Sequence, residues 1–250
     1  MNTSPVEPST ESPGAVRIYW HLPARRPYVT YVMLASCILI YLGQMLSQSL
    51  FGGDLLIALG AKVNSAILQG QYWRLFTPMW LHGSLLHLAF NMYALYVIGA
   101  GLERYYGHGR YLALYLLSGY AGNVVSFLMS PEPSVGSSTA IFGLLAAEAV
   151  FIYQNRHLFQ NARGMLVNIG GILLVNLILG LSPQIDNWGH LGGLIGGLAF
   201  AWSAGPVWET TYQMDGYHLT NRRRGSQALW VGLGVALVFT LLVILRVGWM

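Results

Sequence analysis

Two adjacent serines, Ser137 and Ser138, stand in the run Gly136-Ser137-Ser138-Thr139-Ala140-Ile141-Phe142-Gly143, behind a turn-forming stretch with two prolines and directly ahead of an apolar segment. A serine hydroxyl becomes a nucleophile when a positioned base removes its proton, and imidazole is the commonest base. His82, His87 and His190 are the histidines that fall inside apolar segments. Asn91 follows His87 by four residues, on the same helical face. Amide or imidazole donors there could hold the oxyanion that forms when a hydroxyl attacks a carbonyl. Serine, imidazole and donors together are the parts required for acyl transfer. The bland reading is that the serines cap a helix and that the small residues around them let membrane helices pack. Depth decides between the two.

The elements that set the depth follow from composition. Hydrophobic residues make up 54% of the chain and charged residues 9%, against about 25% charged in a soluble domain. Mean hydropathy is +0.50. The expected class is an all-α membrane protein, a polytopic bundle of about seven transmembrane helices. The spans are placed at 29–47, 80–102, 111–129, 138–153, 165–181, 188–202 and 228–247, each near the ~20 residues that cross a bilayer. Residues 1–28 form a polar N-terminal tail, with Trp20 and the Arg25-Arg26 pair reaching the membrane surface, and no apolar core of a signal peptide is expected there. Residues 29–204 form the core. Within it, 48–79 is too polar to span and too apolar for a flexible linker, and is expected to lie in the interface. Residues 205–250 supply a basic loop and an extra C-terminal helix.

Charge placement supports this division. With the N-terminus cytoplasmic, Arg17, Arg25, Arg26, Arg104, Arg110, Arg156, Arg163, Arg222, Arg223 and Arg224 lie inside, while Lys62, Arg74 and Arg246 lie outside. That is the positive-inside bias, and it places the C-terminus outside. The same bias accounts for the net charge of +4 without an acidic partner, and no basic patch with interleaved aromatics suggests nucleic acid. The single cysteine, Cys37, excludes an intrachain disulfide. No H-E-x-x-H occurs and the histidines lack a matching carboxylate set, so no metal or other cofactor is expected.

This topology brings His87, Asn91, Ser138 and His190 to one depth, in the outer half of the membrane. Polar groups in hydrocarbon cost several kcal/mol unless they find partners, so these should face one another or water. Ser138 is expected as nucleophile and His190 as general base and acid, with His87 and Asn91 as oxyanion donors beside the N-terminal N–H groups of the fourth span. Ser137 is the better candidate for a cap. His82 is expected about 140° around the helix from His87, as a structural or water-organising residue. No acid accompanies the pair, since Asp186 sits at the membrane face as a cap or loop charge; a Ser–His dyad is the economical arrangement. Gly192, Gly193, Gly196 and Gly197 form two overlapping G-x-x-x-G registers, and Gly143 and Ala147 match them on the fourth span. Close approach of these helices would let His190 reach Ser138. Glu148 lies ten residues past Ser138, about 15 Å deeper; Arg156, Arg163 or protonation could satisfy it, and a structural or inner-cavity role is expected.

These residues resemble the rhomboid intramembrane serine proteases over residues 54–203. Gly136-Ser137-Ser138 is similar to the family's G-x-S nucleophile segment, and His190-Leu191-Gly192-Gly193 with Gly196-Gly197 to its catalytic-histidine helix. His82, His87 and Asn91 reproduce H-x-x-x-x-H-x-x-x-N, Trp73-Arg74 matches the W-R of the embedded loop, and Glu103 with Gly107 resembles a structural E-x-x-x-G. Phe142 occupies the place of an aromatic ring against the catalytic histidine. Thr139 departs from the glycine that usually follows the nucleophile; it keeps the peptide N–H, while its branched side chain is expected to narrow the site. The resemblance implies a serine endopeptidase that cleaves single-span membrane proteins in or near their membrane segments, in a bilayer that the short loops suggest is a bacterial plasma membrane. The alternative is a catalytically silent relative that binds membrane segments for quality control. The sequence gives no indication of oligomeric state.

Overall fold

The computed structural model describes residues 26–182, 184–213 and 216–249. Residues 1–25, with Trp20 and Arg25, lie outside the described residues. α1 (Tyr28–Phe51) begins after Pro27 and ends at Gly52, whose left-handed φ of +71° lets its N–H close on Gln48 O. Its N-terminus is capped from another helix: Glu103, fully buried, accepts from the Val29 and Thr30 N–H groups and the Thr30 hydroxyl, and also contacts His108 Nδ1 at 2.6 Å. Orphan donors at a helix start are thus paired inside a bundle that offers them no water.

The 48–79 connection folds rather than loops. α2 (Leu55–Gly60) is capped by Asp54, which accepts from Ile57 N–H. α3 (Asn64–Leu68) and two 3-10 turns, Tyr72–Leu75 and Thr77–Trp80, follow. The carbonyls ending α2 are each taken by a side chain. Arg74, buried, donates to Ala58 O and Ala61 O at 2.8 Å, Trp73 Nε1 to Leu59 O at 3.0 Å, and the Thr77 hydroxyl to Gly60 O at 2.6 Å. Trp73 and Arg74 are therefore the C-terminal cap of α2.

The second span starts five residues later than expected. Thr77–Trp80 is still a 3-10 turn, and the helix begins only where Ser84, in extended conformation, accepts from His87 N–H. α4 (Leu85–Ala94) continues through a π-type turn, Leu95–Gly99, into α5 (Ala100–Tyr106) as one apolar stretch. His82 consequently sits off the helix, and the 140° expectation does not apply.

α6 (His108–Met129), α7 (Ser138–Gln154), α8 (Ala162–Leu179), α9 (Asn187–Ala204) and α10 (Gly225–Gly248) complete the helices. Five helical stretches are long and apolar enough to cross a membrane: α1, α4–α5, α6, α8 and α10. The shorter pair, α7 and the glycine-rich α9, lie at the centre against α6 and are extensively buried, with α10 covering α6 and α9. The basic loop adds an antiparallel hairpin of β1 (Trp208–Gln213) and β2 (Gly216–Asn221), and an isolated antiparallel bridge pairs Lys62 with Ser134. The hairpin is tied to the end of α7 by Asn155, whose side chain donates to Pro206 O and accepts from Trp208 N–H.

Removing the Glu103 carboxylate leaves buried donors unpaired, at about 1–3 kcal/mol each. Glu103→Ala should therefore lower the thermal unfolding midpoint in detergent well below that of Glu103→Gln, which keeps one acceptor oxygen. Equal midpoints for the two variants and the parent would refute the capping role.

Candidate functional site

Ser138 is the first residue of α7 and Ser137 occupies the cap position, yet the Ser137 side chain makes no capping bond. Its buried hydroxyl turns instead toward His82 Nε2, at 3.5 Å. The expected cap is absent, and the N–H groups of Ser138, Thr139 and Ala140 have no acceptor among the described residues. An uncapped helix start with donors free is suited to an anion. Ser138 itself is half-buried.

His190 is brought to it from α9. Asp186 caps that helix, accepting from Gly189 N–H at 2.9 Å and from the Ser126 hydroxyl of α6. Its carboxylate is thereby occupied with the backbone and Ser126, and the cap reading holds over any acid partner. His190 Nε2 lies 2.9 Å from Ser138 Oγ. Its Nδ1 is buried with no hydrogen-bond partner among the described residues. Nε2 is free to accept the hydroxyl proton when Nδ1 carries the ring hydrogen. Phe142, one turn after Ser138, stacks on the imidazole with centroids 4.2 Å apart and planes 12° from parallel, fixing the ring's rotation and offering a π-face to an imidazolium.

The glycines explain how two helices come this close. A Cβ on Gly193 would fall 1.9 Å from Thr139 O, and one on Gly197 2.4 Å from Gly143 Cα. The other register, Gly192 and Gly196, faces α6, where a Cβ would meet Val125 and Ala121. One register thus serves each neighbour. Thr139 corrects its expectation: its side chain is buried against Gly122 of α6 and Gly189 of α9, away from the nucleophile, and does not narrow the site.

Gly136, at φ +130°, carries the chain past the His87 ring, which a Cβ there would touch at 2.8 Å while lying 3.6 Å from Ser138 Oγ. The structure therefore brings His87 beside the pair. Its Nδ1 is 3.4 Å from Gly83 N, and its ring meets that of His82 edge-on at 5.3 Å. Asn91, buried, donates through Nδ2 to His87 O at 2.9 Å; this amide braces the turn that presents His87. Trp73, Arg74 and Glu103 lie in the capping sites already described and not at the serine.

Four supporting residues escaped sequence reading. Gln44 of α1 holds the His82 backbone from both sides, accepting from its N–H at 3.1 Å and donating to its carbonyl at 3.0 Å, and also donates to Asp54. Lys62 and Asn64 pin the loop ahead of the serine: Lys62 Nζ donates to Ser130 O and Glu132 O, and Asn64 Nδ2 to Phe127 O and Ser130 O. Burial of Lys62 lowers its pKa, opposed by the charges of Asp186 and Glu132. Asn123 of α6 donates to Leu75 O. A lone amide in an apolar span is the signal that could have found Gln44 and Asn123.

Gly193→Ala should cost about 1–3 kcal/mol through overpacking, whereas Gly171→Ala on α8, where nothing lies within 4 Å, should change stability by less than about 0.5 kcal/mol. Unfolding of both variants in mixed micelles compares them; equal losses would contradict the close-approach account.

The rhomboid domain family model matches residues 69–206. Rhomboid protease GluP of Bacillus subtilis is 44% identical over 181 residues, covering 72% of this chain and 35% of the relative. RHOMBOID-like protein 5 of Arabidopsis thaliana is 39% identical over 142 residues, 56% of this chain and 46% of the relative. RHOMBOID-like protein 2 of the same plant is 35% identical over 171 residues, 65% of this chain and 54% of the relative. The chain spans about half or less of the length of these curated relatives. With the family match running from the surface segment to the end of α9, the chain is an integral membrane protein that belongs to the rhomboid family.

Proposed function

We propose that the chain is an intramembrane serine protease using Ser138 and His190 as a dyad. The observation that carries the reading is the 2.9 Å contact between Ser138 Oγ and His190 Nε2 at an uncapped helix start. In the reaction, His190 Nε2 takes the Ser138 proton as Oγ attacks the scissile carbonyl carbon. The carbonyl oxygen becomes an oxyanion, held by the Ser138 peptide N–H with donors from His87 and from the Asn91 amide hydrogen that is not bonded to His87 O. As the C–N bond breaks, His190 returns the proton to the leaving amine, which departs and leaves an acyl ester on Ser138. Water then enters, gives a proton to His190 and attacks the ester, and the carboxylic product leaves as Ser138 regains its hydrogen.

Substrates are single-span membrane proteins cut in or near their membrane segments. Helical peptide hides its carbonyls in intrahelical bonds, so the cut residues must be extended, favouring segments weakened by Gly, Ser or Pro. A cleft of about 260 Å³ near the start of α7, lined by His87, Gly83, Ser130 and Asp186 among others but not by Ser138 or His190, is the route by which water would approach. The arginine distribution orients the bundle with the N-terminus cytoplasmic, the C-terminus and the dyad end outward, and a bacterial plasma membrane as the home bilayer. The relative named Rhomboid protease GluP supports the activity.

The test is cleavage of a single-span substrate in liposomes, with a fluorophosphonate probe for serine labelling. Ser138→Ala and His190→Ala should each lower the rate at least about a thousandfold, and Ser138→Ala should abolish labelling. Ser137→Ala should leave both within a few-fold. Loss with Ser137→Ala and not with Ser138→Ala would move the nucleophile.

A further inference from the structure

Glu148 has no part in that chemistry, yet it lies on α7 ten residues past Ser138, about 15 Å along the axis. The expected arginine partners do not reach it. Arg156 lies over the Tyr153 ring at 5.5 Å, and no hydrogen bond or ion pair meets the Glu148 carboxylate among the described residues. An unpaired carboxylate at membrane depth is costly, and such groups belong to function by default.

Its position on the helix defines what could approach. Leu145 and Ile152 sit three residues before and four after, on the same stripe of α7. They pack with Ile169, Leu166 and Leu173 of α8 and with Ile98 of the α4–α5 span. Half-buried Glu148 is therefore set along the seam where those two spans flank α7. α8 is the loosely held side of this seam: Ile169 is its one buried residue, and it packs chiefly on α7.

We infer that Glu148 is a docking point for the membrane segment of the substrate, accepting a hydrogen bond from a donor side chain on the inward side of the scissile bond. The inference rests on Ser138 being the nucleophile, because that contact sets the register. A segment helical throughout covers 15 Å in about ten residues. If about three residues around the cut are extended at ~3.3 Å each, the offset shortens to about six. Favoured substrates thus carry Ser, Thr, Asn, Gln or Lys about six to ten residues inward of the cut. An apolar residue there leaves the carboxylate unpaired when the segment is bound.

The experiment walks a single Asn through an otherwise Leu/Ala membrane segment with a fixed cut site, in liposomes holding the full chain. Binding is read by photo-crosslinking to Ser138→Ala, and cleavage with the parent protein. A binding maximum about three- to tenfold above the all-apolar segment is expected within the stated window. It should vanish in Ser138→Ala carrying Glu148→Leu. Where thermal unfolding shows that Glu148→Leu does not fold, Glu148→Gln keeps the shape and should reduce the maximum by at least half. A flat profile, or a maximum unchanged by either substitution, overturns the inference. A Glu148-dependent maximum alongside undiminished cleavage in Ser138→Ala would instead retain Glu148 as a docking point and remove Ser138 as nucleophile, and with it the register, so the two fail separately.

Discussion

The approach of α9 to α7 is the constraint on which everything else depends. Gly193 lies over the Thr139 carbonyl and Gly197 over Gly143, with no room for a Cβ at either. Because a helix places residues three and four apart on one face, His190 is carried on the same side as Gly193 and Gly197 and meets the first turn of α7. The 2.9 Å contact between the Ser138 and His190 side chains is a consequence of backbone packing, not of long side chains reaching across a gap. The second pair, Gly192 and Gly196, does the same toward α6, so α9 is wedged between two neighbours and cannot rotate without losing one of them. In lipid, where apolar burial gives little drive to associate, such backbone contact is a main source of helix affinity.

A second constraint follows from the solvent. Helix ends in the bundle lack water, and the chain answers with side chains from elsewhere in the fold. Glu103 covers the start of α1; Trp73, Arg74 and Thr77 cover the end of α2. At the end of α9, Gln154 donates to Trp202 O, Gln227 to Ser203 O and Arg223 to Gly205 O. The start of α7 is left out of this pattern. Its cap position holds a serine whose hydroxyl faces His82, and its N–H groups remain open. An open helix start beside a serine and an imidazole is a place an anion would be held.

The fold was legible in the sequence because its signals are periodic or compositional. Apolar stretches of the right length gave the spans, and the paired glycines of α9 gave its approach to α7, though not that of the second register to α6. What escaped depends on tertiary contact. The late start of the second span is set by Ser84 capping its own helix, and no hydropathy pattern marks it. That shift moved His82 off the helix and under Ser137, which sequence spacing could not show. The branched side chain of Thr139 looked like an obstruction only because Gly122 and Gly189, distant in the chain, were not known to leave a space for it. Lys62 reads in sequence as one more outer charge; only the fold shows it buried, holding Ser130 and Glu132 by their carbonyls.

The absence of an acid behind His190 among the described residues has a physical counterpart in the same two helices. A third carboxylate would hold the imidazole's tautomer and stabilise its charged form. Here Asp186 is spent on the N-terminus of α9 and on Ser126, so rotation of the ring is restrained by Phe142 and by the glycine-enforced proximity of α7. Stacking restrains orientation without adding a buried charge, which in a membrane would be expensive to keep ionised. A rigid backbone and one aromatic face thus orient the His190 imidazole without a carboxylate partner. The same economy makes the unpaired Glu148 stand out, since Asp54, Glu103 and Asp186 are each spent on the start of a helix.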